Sequence, residues 1–244
     1  MVIKISPALK TKDKSKEHLE IAKEYTNKIS SNKGVIGVAV GGSLGRGHSD
    51  DFSDIDFYVY VDNKTFQRWK KKRPIKKGCH KYKGYEVETE IFNFDEEKKN
   101  KWLIQDRWER QHHFTLFDTN KKIENLIKQK CVWEKGEREE LLKNLLHRSE
   151  WYLELHEDFI DRGDLQQAQY VINCVIDWIL DSVFLKNNYF IPWPKWKFHY
   201  AKLMNKKPKD FEKEICEAMK IKSFDESDIK RRVRILEKIL KKLK

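Results

Sequence analysis

The chain has 244 residues, of which 39% are hydrophobic and 12% aromatic, and this is enough to bury a core in one large domain or two small ones. No apolar run approaches the ~20 residues needed to cross a bilayer, so we expect no membrane segment. The four cysteines are widely spaced and form no CxxC pair, which argues against a zinc site or a disulfide framework and favours a cytoplasmic location.

The net charge of +12 has two interpretations. A basic surface attracts polyanions, either nucleic acid or a nucleoside triphosphate. Alternatively, a lysine-rich surface serves solubility. The charge is spread along the chain, and its densest run, "KKKRPIKK" at residues 70–77, is expected to be solvated. We therefore do not expect a nucleic-acid partner.

The first part of the chain has the pattern of a region that mixes helices and strands, since eight of the ten glycines precede residue 85. Apolar residues near helical spacing predict an amphipathic helix over residues 15–29. Short apolar or alternating segments predict strands over Val35–Val40, Ile55–Val61 and residues 85–94. The intervening "KKGCHKYKG" predicts a hairpin or an edge strand.

Beyond residue 96 the pattern becomes helical. Two long helices are predicted, over "EREELLKNLLHRSEWYLELHEDFI" and "DLQQAQYVINCVIDWILDSVFLKNN". The second is apolar on nearly every face, which is typical of the central helix of a bundle. The segment "YFIPWPKWKFHY" contains two prolines and predicts a loop that enters another helix. A basic amphipathic helix is predicted from Asp228 onward.

Two aspartates alternate with apolar residues where the second strand begins, in "SDIDFYVYV". Residues i and i+2 of a strand point to the same face, so Asp54 and Asp56 lie side by side while the alternate residues face the core. Neighbouring carboxylates repel each other unless a cation lies between them. Carboxylate oxygens of this kind suit Mg²⁺, so the pattern predicts a magnesium site. The alternative is an exposed strand end with solvated aspartates.

A glycine-rich turn, "GGS" at Gly41, Gly42 and Ser43, follows the first strand. Glycines allow the backbone to approach a ligand closely, and N–H groups at a helix start bind phosphate together with a serine hydroxyl. The turn has neither the Walker spacing nor the dinucleotide spacing, and alone it is a weak signal. Its position before the Asp-x-Asp strand predicts a phosphate site next to the metal site.

These residues resemble the signature of the DNA polymerase β-like nucleotidyltransferase superfamily. That signature is Gly-Ser, about ten residues, and then Asp-hydrophobic-Asp, and here "GGS" is followed by ten residues and "DID". The longer stretch is most similar to the small bacterial and archaeal members, which include the aminoglycoside and lincosamide nucleotidyltransferases. The motif covers only residues 41–61, but the order of the predicted elements extends the similarity to most of the chain.

The resemblance implies an α+β fold in which a small mixed β-sheet with flanking helices is followed by a C-terminal helical bundle. Residues 1–120 would form the catalytic nucleotidyltransferase domain, and residues 121–244 a helical domain that closes on substrate and nucleotide. It also implies a third carboxylate on a neighbouring strand, as metal ligand or as base. The strand "YEVETEIFNF" offers Glu86, Glu88 and Glu90 on one face, and we select Glu88 first and Glu90 second, since the sequence does not fix the strand register.

The implied reaction is nucleotidyl transfer. Two Mg²⁺ ions held by Asp54, Asp56 and Glu88 would bridge the triphosphate of a nucleotide, with ATP as the expected donor, while Gly42 and Ser43 hold the terminal phosphates. A hydroxyl of a small acceptor would attack the α-phosphorus in line, and pyrophosphate would leave. Such enzymes act as monomers or as homodimers.

Four further residues have weaker claims to a role. Arg46 either neutralises phosphate charge or is a surface arginine of the turn. Lys195 is a candidate for the triphosphate, because relatives carry a similar Lys-Trp after a proline-rich loop. Asp177 and Asp181 lie one turn apart on an apolar helix and either pair with lysines or bind an amine-bearing acceptor.

Two other functions compete with transfer to a small molecule. The same chemistry could act on a macromolecule, as in an antitoxin-like transferase that adenylylates a protein, or in an RNA-end transferase. A non-catalytic nucleotide-binding module is the third option. The presence of Asp54, Asp56 and Ser43 argues against that third option.

Overall fold

The computed structural model describes residues 10–244 and divides into two units, one ending at Val132 and the other beginning at Trp133. The first nine residues, which belong to the domain predicted over residues 1–120, lie outside this description. Each unit has its own buried apolar residues. The first unit combines a sheet with helices, and the second consists of helices and loops.

From residue 10 onward, the first unit contains five strands, six α-helices and a 3₁₀ turn at Thr119–Lys121. In chain order the α-helices and strands are α1 Ser15–Ser30, β1 Val35–Val40, α2 Gly42–Gly45, β2 Ile55–Val61, α3 Asn63–Lys71, β3 Gly78–Tyr82, β4 Tyr85–Asn93, α4 Phe94–Lys99, α5 Ile104–Arg110, β5 Phe114–Asp118 and α6 Lys122–Lys130. The strands form one sheet in the order β3-β4-β2-β1-β5. Among the strands that the structure describes, only the β2–β4 pair is parallel, so the sheet is mixed as predicted.

The alternation of side chains along the central strands gives the sheet two different faces. On one face, apolar residues of β1 and β2 pack against α1, whose contacts include Ala22, Tyr25 and Ile29. On the other face, a second cluster forms around Tyr60 and Ile123, together with residues of α4 and α6. The aspartates of the "DID" stretch belong to this second face, because the residues that alternate with them are buried in the first cluster.

Most strand predictions are confirmed, with one error in the first unit. The predicted strands over Val35–Val40 and Ile55–Val61 match β1 and β2, and the "KKGCHKYKG" segment contains the edge strand β3. The expectation that the chain is helical beyond residue 96 is wrong at β5, which pairs antiparallel with β1. Its five residues, "FTLFD", are too short a run to show a period, and all are only partly buried.

The second unit is helical, as predicted for the C-terminal region. Its helices are α7 Glu137–Asp161, α8 Leu165–Lys186, α9 Pro194–Ala201, α10 Phe211–Met219 and α11 Glu226–Leu243. The side chain of Asp164 caps α8 by accepting a hydrogen bond from the Gln167 N–H at 2.9 Å. In this unit α8 contacts α7, α9, α10 and α11, which makes it the central helix that its all-round apolar pattern predicts.

The helix α8 is also long and apolar enough to cross a bilayer, by length and composition alone. However, 72% of its most apolar window is buried inside the structure. Packing within the helical unit therefore accounts for the apolar character of this helix.

Candidate active site

Three carboxylates meet where β2 and β4 run side by side. Oxygen atoms of Asp54, Asp56 and Glu88 all lie within 4.8 Å of one another, and each residue is partly exposed. The parallel register pairs Asp56 with Glu88, which brings the two carboxylates to the same face of neighbouring strands. The sequence left the register open between three glutamates, and the structure places Glu88 in the cluster. Such an all-oxygen group fits the ligand preference of a divalent cation such as Mg²⁺.

The electrostatics of this cluster favour a cation. Burial, followed by repulsion from Asp54 and from Glu109, raises the pKa of Asp56 to about 7. Arg46 offsets this effect only in part. At neutral pH the cluster therefore holds carboxylates that resist ionising together, and a bound divalent cation would relieve that repulsion.

The glycine-rich turn lies directly against Asp56. Gly42 has a φ of +58°, and a Cβ atom built on it would lie 1.5 Å from the Oδ2 atom of Asp56. The N–H of Gly41 donates to the backbone carbonyl of Asp56 at 3.1 Å. Ser43, the next residue of α2, is buried. The phosphate-binding turn predicted from the sequence is thus adjacent to the carboxylate cluster, and only glycine fits at position 42.

Glu109 on α5 is a part of this site that sequence reasoning missed. Its carboxylate accepts the N–H of Gly42 at 2.9 Å and receives two hydrogen bonds from Arg46, at 2.8 and 2.9 Å. The sequence pattern around Glu109 predicts only a helix, and the residue lies 67 positions beyond Gly42. No sequence pattern connects these two residues, so only the packing of α5 against the turn reveals the contact.

The position of Arg46 corrects one expectation. The alternative of a surface arginine is wrong, because the side chain is only 3% exposed. Its guanidinium pairs with Glu109 and lies 5.3 Å from the ring of Trp108. This geometry places Arg46 directly behind the turn, and its predicted role in binding nucleotide phosphate stays a prediction.

Glu90, the second choice for the third carboxylate, lies two residues beyond Glu88 on the same face of β4. It pairs in register with Tyr58, and it is not part of the three-carboxylate cluster. Burial, followed by repulsion from Glu88, raises the pKa of Glu90 above its usual value. Glu90 thus lies outside the carboxylate cluster, and its raised pKa makes it a better proton acceptor than an ordinary carboxylate.

In the helical unit, Asp177 and Asp181 pair with a lysine, as one of the two alternatives expected. The partner is Lys197, which is buried, with its Nζ atom 2.7 Å from Asp177 and 2.9 Å from Asp181. The second contact is an ion pair without hydrogen-bond alignment. Burial raises the pKa of Asp181 to about 6 even though Lys197 opposes the shift. Lys195, two residues earlier, is exposed, and its predicted role in binding nucleotide stays a prediction.

Replacing Lys197 with methionine is expected to destabilise the protein by about 3 kcal/mol, because it leaves the buried carboxylate of Asp181 without its cation. Urea unfolding of the full chain at pH 8 would measure this loss. Lys195→Met is the matched control and should leave the free energy of unfolding unchanged, since that side chain is exposed. Equal stability of the two variants would show that the buried ion pair does not contribute.

Comparisons with known proteins identify the class to which this site belongs. Residues 19–160, more than half of the chain, match the model of the nucleotidyltransferase domain family. The chain therefore belongs to this family, and it is a nucleotidyltransferase enzyme.

Two solved structures are similar to this chain at low sequence identity, and the first of them shows the same fold. A nucleotidyltransferase-like protein from Exiguobacterium sibiricum 255-15 is similar with 15% identity and a TM-score of 0.50, over 93% of this chain and 74% of that chain. Spectinomycin adenyltransferase AAD(9) from Enterococcus faecialis, whose structure contains ATP and spectinomycin, also has 15% identity. Its TM-score is 0.36, over 93% of this chain and 99% of that chain. No protein of curated function matches the sequence.

Proposed function

We propose that this enzyme uses Mg²⁺ to transfer a nucleoside monophosphate from a triphosphate to a hydroxyl group of a small molecule, with release of pyrophosphate. ATP is the proposed donor and AMP the transferred group. The observation that carries the proposal is the cluster of Asp54, Asp56 and Glu88 beside the turn formed by Gly42 and Ser43. Carboxylates that hold a cation next to a turn whose backbone comes close and whose serine offers a hydroxyl donor are suited to a nucleoside triphosphate.

The residues of the chain would divide the work as follows. Asp54, Asp56 and Glu88 hold the cation, and Gly42 and Ser43 bind the terminal phosphates of the nucleotide. When bound, the cation supplies charge neutralisation of the phosphates and orients the donor for in-line attack. Glu90 has a raised pKa and stands next to this group on the same strand, so we assign it as the base that accepts the proton of the acceptor hydroxyl.

The remaining proposals concern the partners and the second unit. The helical unit would close on nucleotide and acceptor, with Lys195 contacting the triphosphate. The acceptor would be a small hydroxylated molecule, and no nucleic acid would be involved. We propose a cytoplasmic protein that acts as a monomer or as a homodimer, consistent with its four free cysteines.

The central experiment incubates the purified chain with ATP, Mg²⁺ and a panel of small alcohols and aminated sugars, and measures pyrophosphate release. The proposal predicts release that depends on both Mg²⁺ and an acceptor, and that is lost in Asp54→Ala. Labelled AMP on protein or on RNA would instead assign the chemistry to a macromolecular acceptor. Binding of ATP without turnover on any acceptor would leave a non-catalytic module and contradict the proposal.

Binding of Mg²⁺ is expected to weaken as the pH falls below 7. The pKa of Asp56 is about 7, so its proton competes with the cation, and each pH unit below 7 lowers the apparent affinity about tenfold. Titration calorimetry at pH 6, 7 and 8, in two buffers of different ionisation enthalpy, would measure the affinity and count the released proton. An affinity that is the same at pH 6 and pH 8 would contradict the role of Asp56.

Two glutamate variants separate the ligand from the base. Glu90→Gln is expected to lower turnover by about 10²-fold or more while Mg²⁺ and ATP still bind. Glu88→Gln is expected to weaken Mg²⁺ binding as well as turnover. Glu86→Gln, at an exposed position of the same strand face, is the control and should behave as the wild type. Full turnover of Glu90→Gln would transfer the role of base to Glu88.

A further inference from the structure

A buried histidine is linked to the serine of the glycine-rich turn. His18 on α1 is 4% exposed, and its Nδ1 atom lies 2.5 Å from the Oγ atom of Ser49. Ser49 is fully buried, and its Oγ atom lies 3.5 Å from the Oγ atom of Ser43. The three polar atoms therefore form a line that starts on α1 and ends at the serine proposed to bind phosphate.

The surrounding contacts hold this line in place. The N–H of Lys14 donates to the carbonyl of Ser49 at 2.6 Å, and the N–H of His48 donates to the carbonyl of Ser43 at 3.1 Å. The ring of Tyr85 packs edge-on against the ring of His18, with the centroids 5.6 Å apart. The contact between the two serines is at the outer limit for a hydrogen bond, and hydrogen bonds around such sites commonly shorten when substrate binds.

The direction of hydrogen bonding along this line decides what Ser43 can do. A serine hydroxyl has one hydrogen, so Ser43 donates either to Ser49 or to a ligand, but not to both. If Ser49 donates to Ser43, the hydrogen of Ser43 is free for a phosphate oxygen. Ser49 is able to donate in this direction when the Nδ1 atom of His18 carries a hydrogen and itself donates to Ser49.

We propose that His18 is a positioning residue for the phosphate site: its Nδ1–H donates to Ser49, Ser49 donates to Ser43, and the Ser43 hydroxyl is left to donate to a nucleotide phosphate. Hydrogen bonds that run in one direction polarise one another, so this line of hydrogen bonds also strengthens the hydrogen bond that Ser43 donates to the phosphate. The inference rests on the proposed function, because it takes Ser43 to be a phosphate ligand. Burial lowers the pKa of His18, so the imidazole is neutral at pH 8. Its tautomer therefore sets the direction of hydrogen bonding along the line.

Two substitutions of His18 test the donor directly. In asparagine the side-chain nitrogen is bonded to Cγ, as Nδ1 is in histidine, so His18→Asn keeps a donor near the same place, whereas His18→Leu keeps bulk and removes it. We expect His18→Leu to raise the Kd of the Mg²⁺–ATP complex about tenfold and His18→Asn to stay within about twofold of the wild type. Calorimetry on the full chain gives both values. An Asn variant as weak as the Leu variant would overturn the proposal.

A double-mutant cycle separates positioning from packing. If His18 acts through Ser43, then His18→Leu should have no further effect in a Ser43→Ala background. A full tenfold loss in that background would overturn the proposal. Thr26→Val, which removes another buried hydroxyl from α1, is the matched control and should leave the Kd unchanged. An equal loss in Thr26→Val would attribute the effect to a loosened helix.

The middle member of the line gives an independent variant if His18→Leu fails to fold. Ser49→Ala removes one oxygen from a fully buried site, so the Ser43 hydroxyl loses the donor that polarises it while its own hydrogen stays free for a ligand, and we expect the Kd to rise by only about threefold, again only when Ser43 is present. An unchanged Kd in Ser49→Ala would overturn the proposal. A wild type that does not bind Mg²⁺–ATP would reject the proposed function itself, whereas normal binding by the wild type and by the His18 and Ser49 variants would reject only the positioning role.

Discussion

Asp56→Asn is expected to abolish nucleotidyl transfer and, at the same time, to stabilise the metal-free protein at pH 8. The loss of activity should be at least about 10³-fold, because a neutral amide neither holds a divalent cation well nor completes the carboxylate cluster. The gain in stability follows from the raised pKa of Asp56. The substitution removes a buried charge that is repelled by Asp54 and Glu109.

The pH dependence of this gain has a definite sign. The folded protein binds the proton of Asp56 with a pKa of about 7, against 3.8 for the free side chain. Between these values the folded state holds more protons than the unfolded state, so the free energy of unfolding falls as the pH rises. Asparagine resembles the protonated acid, so Asp56→Asn should gain on the order of 4 kcal/mol at pH 8 and only about 0.5 kcal/mol at pH 4.

Chemical denaturation of the metal-free wild type and of Asp56→Asn at pH 4 and pH 8 would measure this difference. Addition of Mg²⁺ should stabilise the wild type at pH 8 and leave the variant unchanged, because only the wild type keeps the cation site. Asp51→Asn, which changes an exposed aspartate of the preceding loop, is the control and should keep both activity and stability. A variant that is inactive and also less stable than the wild type at pH 8 would contradict the account of the cluster.

The sequence predicted the parts of the site that lie on regular strands. Alternation in β2 and β4 assigned Asp54, Asp56 and Glu88 to one side of their strands, because side chains of a strand point in turn to opposite faces. This alternation does not specify the register between two paired strands. The pairing of Asp56 with Glu88 needed the structure, since a shift of β4 by two residues would have placed Glu86 or Glu90 beside Asp56 and kept the same pattern.

Residues that act across long sequence separations were not predictable. Glu109 lies in a segment whose sequence is typical of a helix surface. Its contact with the N–H of Gly42 exists only because α5 packs beside the turn. Arg46 follows the glycine-rich turn, and nothing in its neighbours distinguishes a solvated arginine from one buried against Glu109. In the same way, Lys195 and Lys197 are two residues apart, and only the docking of α9 on α8 makes the second one the partner of Asp181.

Gly42→Ala is expected to cost about 10²-fold or more in activity, through two separate physical effects. The φ of +58° at this position disfavours any residue with a Cβ, by about 1–2 kcal/mol. In addition, the new methyl group would lie 1.5 Å from the Oδ2 atom of Asp56, so either the turn or the carboxylate must move. A displacement of about 1 Å in a positioning element is enough for a loss of this size.

Gly47→Ala separates the two effects of that substitution. Gly47 follows α2 and has a φ of +86°, and among the described residues nothing beyond its chain neighbours lies within 4 Å of the position that a Cβ would take. Gly47→Ala should therefore lose stability through backbone strain alone and keep its Mg²⁺ affinity and turnover. Gly42→Ala should lose stability, Mg²⁺ affinity and turnover. Calorimetric titration with Mg²⁺ and pyrophosphate release would compare the two variants. Equal losses of activity would mean that the close approach of the turn to Asp56 is not what organises the site.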